Sequence, residues 1–365
     1  MTQTHYLRPI ALADSPQSEE GEAVRLAGGM VYASRFALIE RSGGKVIART
    51  RYGAAELRSA MPSLPDAVQQ QWANLQRSHA PLQCGARTIR LDQPQVMGIL
   101  NITPDSFSDG GHFMDDPLVA NDHAATMVEA GAALIDVGGE STRPGGAAVW
   151  EGDEIKRVIP AIERLAAAGA AISVDTRRPA VMEVALAAGA HIINDVSALR
   201  HDPRSLEFAA RSGAPVVLMH APGEGEDLHS DGTYADVALD VFDWLAARRD
   251  AALAAGIARE KIVLDPGIGF GKTLAENLAL MNALPLLHAL GQPLLLGASR
   301  KRMVGALSNE APAHQRLGGS VMLAVKGMEA GVQLLRVHDV PETVQAMRVW
   351  RGLRDAALTD FSQLA

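Results

Sequence analysis

The sequence predicts an α/β fold, a (β/α)8 TIM barrel carrying a small N-terminal α+β extension. Three observations predict it. Eight short apolar runs recur along the chain, segments long enough for amphipathic helices separate them, and each run ends in residues with useful chemistry. A strand followed by a helix, eight times over, is the pattern of a parallel barrel, whose working groups sit at the C-terminal ends of its strands.

The first eighty or so residues do not keep this rhythm. Phe36–Glu40 and Lys45–Arg51 are expected to be strands joined by Ser42-Gly43-Gly44, a hairpin signal. Ala54–Ala60 and Asp66–Arg77 are expected to be helices on either side of Met61-Pro62-Ser63-Leu64-Pro65. Residues 1–81 are therefore assigned to an extension, whose plain readings are a lid, a packing addition or an oligomer contact. Residues 82–365 are assigned to the barrel. Leu82–Leu91 predicts a hairpin that plugs its N-terminal end. The expected barrel strands are Val96–Ile102, Ala133–Val137, Ala171–Val174, His191–Asn194, Pro215–His220, Lys261–Asp265, Pro293–Gly297 and Val332–Val337. They are apolar at nearly every position, as a sheet covered on both faces requires. Ile155, Val158, Ile159, Ile162 and Leu165 recur at helical spacing, as do Val237, Val241, Trp244 and Leu245, so both sets are expected to face the barrel. Gly223–Gly232, rich in Gly, Asp and Glu, predicts a mobile loop after the fifth strand.

Composition narrows the function. A barrel needs roughly 250 residues, and this chain has 365. The formal net charge of −8 argues against a general nucleic-acid surface while leaving room for a local anion site. No apolar stretch approaches a membrane span, and the acidic opening (Asp14, Glu19, Glu20, Glu22) predicts no signal peptide. The single cysteine, Cys84, fits a reducing compartment. The expectation is a soluble cytoplasmic protein acting on small molecules.

Two long polar loops follow the first two strands. Asn101-Ile-Thr-Pro-Asp-Ser-Phe-Ser-Asp-Gly-Gly111 presents an amide, carboxylates and hydroxyls, suited to a metal or phosphate, or else to a self-satisfied turn. Gly138-Gly-Glu-Ser-Thr-Arg-Pro-Gly-Gly146 sets Arg143, a planar phosphate fork, among glycines that let a ligand approach the backbone. Asp175 and Asp265 each close an apolar strand; a helix cap is the alternative reading, more so for Asp175. Gly267-Ile-Gly-Phe-Gly-Lys-Thr273 has three residues, not four, between its first Gly and Gly-Lys, so it is no nucleotide P-loop, and Gly267-x-Gly269-x-Gly271 is one residue short of a dinucleotide fingerprint. Arg336 and His338 alternate on the last strand and face one side, as an anion pair or as two salt bridges. His112, His229 and His288 are expected at the surface or in loops. No zinc spacing and no nucleophile beside a base is evident. Such a site positions reactants and stabilises charge.

Met97-Gly-Ile-Leu-Asn-Ile-Thr-Pro-Asp-Ser-Phe-Ser-Asp-Gly-Gly111 and Ile135-Asp-Val-Gly-Gly-Glu-Ser-Thr-Arg-Pro-Gly145 resemble the two signatures of the dihydropteroate synthase family. Ser173-Val-Asp-Thr176, Ile193-Asn-Asp195, Leu218-Met-His220, Asp265-Pro-Gly267 with Gly269-Phe-Gly-Lys272, Ser299-Arg-Lys301 and Arg336-Val-His-Asp339 follow in family order, over about Leu82 to Arg354. The resemblance implies condensation of 7,8-dihydropterin-6-ylmethyl diphosphate with p-aminobenzoate, assisted by Mg2+, releasing pyrophosphate. It implies that Asp265, Asn194 and Lys301 hold the pterin edge, with Met219 beside them. Asp175 is implied as a pterin ligand that also stabilises a cation, and Arg336 with His338 as the pyrophosphate pair. Asn101 is implied at the metal, and Thr142 on the diphosphate. Asp109 and Arg143 close over the site, and Phe107, Pro144, Phe270 and Ser299 lie at the arylamine pocket. A homodimer is implied on the same ground. Two departures stand out. Ala221-Pro222-Gly223 replaces the usual Met-Gln-Gly after Met219-His220, and Ile268 stands where an aromatic is common. The rival readings are a methyltetrahydrofolate-dependent corrinoid methyltransferase, a non-catalytic pterin-binding paralogue and a general phosphosugar barrel.

Overall fold

The structure, a computed structural model, describes residues 3–18, 21–103, 117–141, 149–223, 225, 227–230 and 232–358. The extension opens with β1 (Gln3–Ala13), the short pieces β2 (Gln17–Ser18), β3 (Gly21–Glu22) and β4 (Val24–Arg25), and the long strands β5 (Tyr32–Ser42) and β6 (Lys45–Gly53). β5 pairs antiparallel with β1, β4 and β6. α1 (Ala54–Ala60) and α2 (Asp66–Leu75) follow, then the plug hairpin β7 (Leu82–Cys84) and β8 (Arg87–Ile89). β1 was not expected from the sequence. Pro9 lacks an N–H and breaks a strand pattern, and the chain accommodates it with a register shift between Pro9 and Ala11.

The barrel strands are β9 (Gln95–Asn101), β10 (Leu134–Gly138), β11 (Ile172–Asp175), β12 (Ile192–Asp195), β13 (Val216–Met219), β14 (Ile262–Asp265), β15 (Leu295–Leu296) and β16 (Leu334–Val337). They run in parallel in the order β14-β13-β12-β11-β10-β9-β16-β15, and a bridge between Leu264 and Leu294 closes the ring. All eight expected strands are present. β15 is cut to two residues, and Pro293, which cannot donate to a ladder, stands outside it. Around them lie α3 (Pro117–Ala130), α4 (Glu151–Ala167), α5 (Pro179–Ala187), α6 (Ser205–Ser212), α7 (Val237–Ala254), α8 (Leu274–Leu287), α9 (Arg302–Leu307), α10 (Leu317–Glu329) and α11 (Val340–Ala357). The two predicted helical stripes pack on the barrel core: Val158, Ile162, Leu165, Val237, Val241 and Leu245 are buried, and Ile155, Ile159 and Trp244 partly so.

The inside of the barrel is built in tiers. Met97, Leu134, Ala171, Ile192, Val217, Val263, Leu295 and Leu334 form one buried cluster with Leu82, Cys84, Ile89 and Leu91 of the plug region. The alternate residues, such as Leu100, Ile135, Val174, Ile193, Leu218, Leu264 and Leu335, pack outward in a second core. Side chains alternate across a strand. The next inward residues are therefore Ile99, Asp136, Ser173, Asn194, Met219, Asp265, Gly297 and Arg336. One apolar tier closed by a plug sets a polar tier directly above it.

The extension docks on the outside of α7 and α8. Tyr6 meets the Phe242 ring edge-on at 5.5 Å and donates to Asp243 Oδ2 at 2.7 Å. Arg41 pairs with Asp240 at 2.6 Å, and Asn74 donates to the Ala289 carbonyl at 2.9 Å. Phe36, Leu38 and Ile39 are buried as their apolarity requires, whereas Ile47 is 58% exposed on β6. One smaller expectation changes. His288 is buried, with Nε2 against the Ala330 carbonyl at 2.8 Å, and burial pulls its imidazole down to about 4. After β13, Leu228 is buried and the Gly232 N–H donates to the Gly271 carbonyl.

Candidate active site

A cavity of about 1060 Å3 opens at the C-terminal ends of the strands. Asn101, Asp175, Phe270, Ser299, Lys301, Arg336 and His338 line it. The strand ends dictate this gathering. Asn101, Gly138 and Asp175 stand in register on neighbouring strands, and Ser299 and His338 follow Gly297 and Arg336 by one further inward step. Asn194, Met219 and Asp265 are buried beneath the lining. Met219 packs with Val196, Ala221, Leu228 and Phe270. Asp109, Phe107, Thr142, Arg143, Pro144 and His112 lie outside the described residues.

The floor is a charge network. Arg336 Nε donates to Asp136 Oδ2 at 2.6 Å, and its Nη2 donates to Asp175 Oδ2 at 2.6 Å. Asn194 Nδ2 donates to the same Asp136 oxygen at 3.1 Å. Burial pushes the Asp175 carboxyl well above the usual carboxylate range against the pull of the Arg336 guanidinium. Burial lowers the Arg336 value, and Asp136 and Asp175 more than restore it, so the guanidinium stays charged. Burial pushes Asp265 up to about 6, opposed by the Gly267 N–H, which reaches Asp265 Oδ1 at 2.7 Å, and by Lys301. Its Oδ2 lies beside Gly297, 3.9 Å from where a Cβ would stand.

Loops supply the rest. Arg300 adopts a left-handed backbone (φ 55°) and is held by Asp339 through Nε at 3.1 Å and Nη2 at 2.5 Å. That turn brings the Lys301 ammonium over the Phe270 ring at 4.3 Å. His338 Nδ1 and Ser299 Oγ are 3.0 Å apart. His229, expected to be an ordinary loop residue, stacks on Phe270 at 4.6 Å and lines the cavity. The variant Pro222 sits against Gly271, where any Cβ would come within 2.2 Å of it. The altered fifth loop is therefore fitted to the sixth.

The sequence motifs contain three further residues of this arrangement without giving them a role. Asp136 is the first. Lys272 is the second: its ammonium donates to the carbonyls of Gly267 at 2.8 Å and Phe270 at 3.0 Å and meets His220 Nδ1 at 2.9 Å, knotting the loop that carries Phe270. Burial lowers Lys272 to about 7, with Asp265 opposing. Glu140 is the third. It accepts from Arg177 at 3.1 Å and Arg178 at 2.7 Å, and from the Val149 N–H at 3.3 Å, so it anchors both ends of the second loop. Burial raises its carboxyl, but Arg178 and Arg177 outweigh that and hold it at about 2. Cys84 is buried in the plug with its thiol pushed up to about 11, far from any nucleophilic role.

A barrel whose polar floor holds carboxylates, an amide and a guanidinium at the strand ends defines a class, and comparison with known proteins gives the same one. A profile for pterin binding enzymes matches residues 97–338. The dihydropteroate synthase of Escherichia coli is 48% identical over 263 residues, 72% of this chain and 92% of that protein. That of Bacillus subtilis is 43% identical over 257 residues, 70% of this chain and 86% of that one. The Xanthomonas albilineans dihydropteroate synthase solved with 4-aminobenzoic acid superposes with a TM-score of 0.71 at 47% identity, covering 76% of this chain and 99% of that chain. The same enzyme solved with 7,8-dihydropteroate gives 0.68 at 45%, covering 75% and 98%. The chain belongs to the dihydropteroate synthase family of pterin-binding enzymes, and it is a transferase. No described helix is long and apolar enough to cross a membrane.

Proposed function

We propose that this protein condenses 7,8-dihydropterin-6-ylmethyl diphosphate with p-aminobenzoate to give 7,8-dihydropteroate and pyrophosphate, a step of folate biosynthesis. The observation that carries the reading is the polar floor: buried acceptors at Asp265 and Asn194 lie beside a guanidinium at Arg336. A pterin offers an amino group and a ring N–H, which these acceptors suit. Lys301 closes the pterin edge from above, and Met219 supports the wall. Arg336 and His338 take the diphosphate. Phe270, Ser299, Phe107 and Pro144 surround the arylamine, with Thr142, Asp109 and Arg143 brought in by the two long loops. The neutral arylamine nitrogen attacks the methylene carbon, the C–O bond to the diphosphate breaks, and the new ammonium loses a proton. Asp175 stands where positive charge develops on the pterin methylene.

Mg2+ is the metal of this reading. It binds through few protein oxygens together with substrate phosphates. Asn101 fits that demand: it ends β9 on the cavity wall, and its Oδ1 faces Gly138, 3.5 Å from where a Cβ would stand. When bound, the ion neutralises charge on the leaving diphosphate. The deciding experiment is turnover with the pterin diphosphate, p-aminobenzoate and Mg2+, read as pyrophosphate release. A corrinoid methyltransferase or a silent paralogue would release none.

Residues 1–81 are proposed to be a packing extension outside the chemistry, because none of the described ones lines the cavity. A truncated chain beginning near Pro81, with the plug retained, should keep turnover within about threefold, since the site lies at the opposite end of the strands from the plug. It should lose solubility as the α7 and α8 surface is bared. A folded truncation without turnover would refute this division. We also propose a cytoplasmic homodimer. Met322 on α10 and Val349 and Leu353 on α11 are 59%, 61% and 67% exposed and give an apolar face for it. The light-scattering mass of the full chain tests the dimer.

A further inference from the structure

One carboxylate under the cavity is used by none of these steps. Asp136 is fully buried and does not line the cavity. Its strand lies midway between two others: β12 stands two strands away on one side and β16 two strands away on the other. From there its Oδ2 accepts from Asn194 of β12 at 3.1 Å and from Arg336 of β16 at 2.6 Å. Its Oδ1 has no partner among the described residues.

The chemistry of these contacts is directional. A carboxylate only accepts, so the Asn194 atom that meets it is the amide nitrogen. The amide oxygen is left for a ligand. The same carboxylate takes Nε of the Arg336 fork, and Asp175 takes Nη2. The remaining N–H groups of the fork are left for an anion. We infer that Asp136 is a positioning residue for the diphosphate substrate. It holds Asn194 as an acceptor toward the pterin ring and Arg336 as a donor toward the diphosphate, and so sets the two ends of one substrate in register. This inference rests on the reading of the pocket proposed above.

Steady-state kinetics with the full chain, Mg2+ and both substrates test it. Asp136→Ala removes the shared acceptor. The KM for the pterin diphosphate should rise about 30-fold or more, as losing hydrogen bonds to a charged group implies, while the KM for p-aminobenzoate stays within about threefold. Asp136→Asn keeps an oxygen within reach of both donors and should bring the pterin KM back to within about fivefold of the native value, the loss expected of a neutral acceptor. A pterin KM unchanged in Asp136→Ala, or no rescue in a folded Asp136→Asn, overturns the inference. Should Asp136→Ala not fold, a charge exchange replaces it. Asn194→Asp sets two carboxylates face to face and should raise the pterin KM, and adding Asp136→Asn rebuilds a donor–acceptor pair and should recover at least fivefold. No recovery overturns the inference equally. A native chain that releases no pyrophosphate refutes the proposed function instead, so the two failures are distinguishable.

Discussion

Asp265→Asn should leave the barrel folded and remove most of its affinity for the pterin. The Asn carbonyl can still accept from the Gly267 N–H, which the native Oδ1 does at 2.7 Å. The second oxygen, beside Gly297, becomes an NH2 group that opposes the pterin's own donors. A buried mismatch of this kind costs about 1–3 kcal/mol, more with charge involved, so affinity should fall about 10- to 100-fold or further. Calorimetry with a phosphate-free pterin measures it, and unchanged binding would remove Asp265 from the pocket. The same residue predicts a pH dependence. Burial raises its carboxyl from 3.8 to about 6. Between those values the folded chain holds a proton that the unfolded chain has released, so this group's contribution to stability falls as pH rises through the window. Asparagine cannot ionise. The variant should therefore be more stable than the native protein above about pH 6, by about 1–3 kcal/mol, with the advantage gone below about pH 4. Native pterin binding should weaken over the same window as pH is lowered, because the ionised form is the acceptor. Thermal unfolding and calorimetry at matched pH check both.

That trade-off explains how much of the site could be read from the residues alone. Asp265 and Asp175 were legible because each breaks an apolar run at its last position, where a carboxylate is conspicuous. Asp136 breaks its run in the middle, between Ile135 and Val137. Its partner Arg336 stands 200 residues away, so no local spacing announces the pair. One signal was available: Asp136 follows the plug-facing Leu134 by two, as Asn194 follows Ile192 and Arg336 follows Leu334. Reading each strand upward from its apolar plug contact would have found the whole floor. Lys272 was hidden differently. It ends a glycine-rich loop that invites a phosphate reading, yet its ammonium is spent on that loop's own carbonyls. His288 looked superficial because an isolated histidine carries no periodic signal; a backbone carbonyl from Ala330 makes its burial tolerable. The strands themselves were legible from apolarity, and their ends moved by one or two residues.

Arg336→Ala should be the most damaging substitution at the anion end, with a signature that separates binding from structure. The guanidinium is both a ligand group and the counter-charge of two buried carboxylates, Asp136 and Asp175. Binding of pyrophosphate or the diphosphate substrate should fall about 100-fold or more, since charge-assisted bonds to an anion contribute about 1.5–3 kcal/mol each. A phosphate-free pterin should lose about tenfold, the share that reaches it when the Asp136 contact to Asn194 loosens. Breaking a buried pair from one side also destabilises the fold, by about 3–5 kcal/mol. The pH dependence of that loss has a definite sign. Arg336 opposes the burial that already raises Asp175, so without it the Asp175 carboxyl rises further. In acid that carboxyl is neutral and its share of the loss is small, whereas at higher pH it must ionise without a partner and that share grows. The gap in unfolding temperature between native and variant should thus widen from pH 5 to pH 8. Equal losses for pyrophosphate and for phosphate-free pterin, with a gap that does not change with pH, would make Arg336 a structural residue and leave the diphosphate site elsewhere.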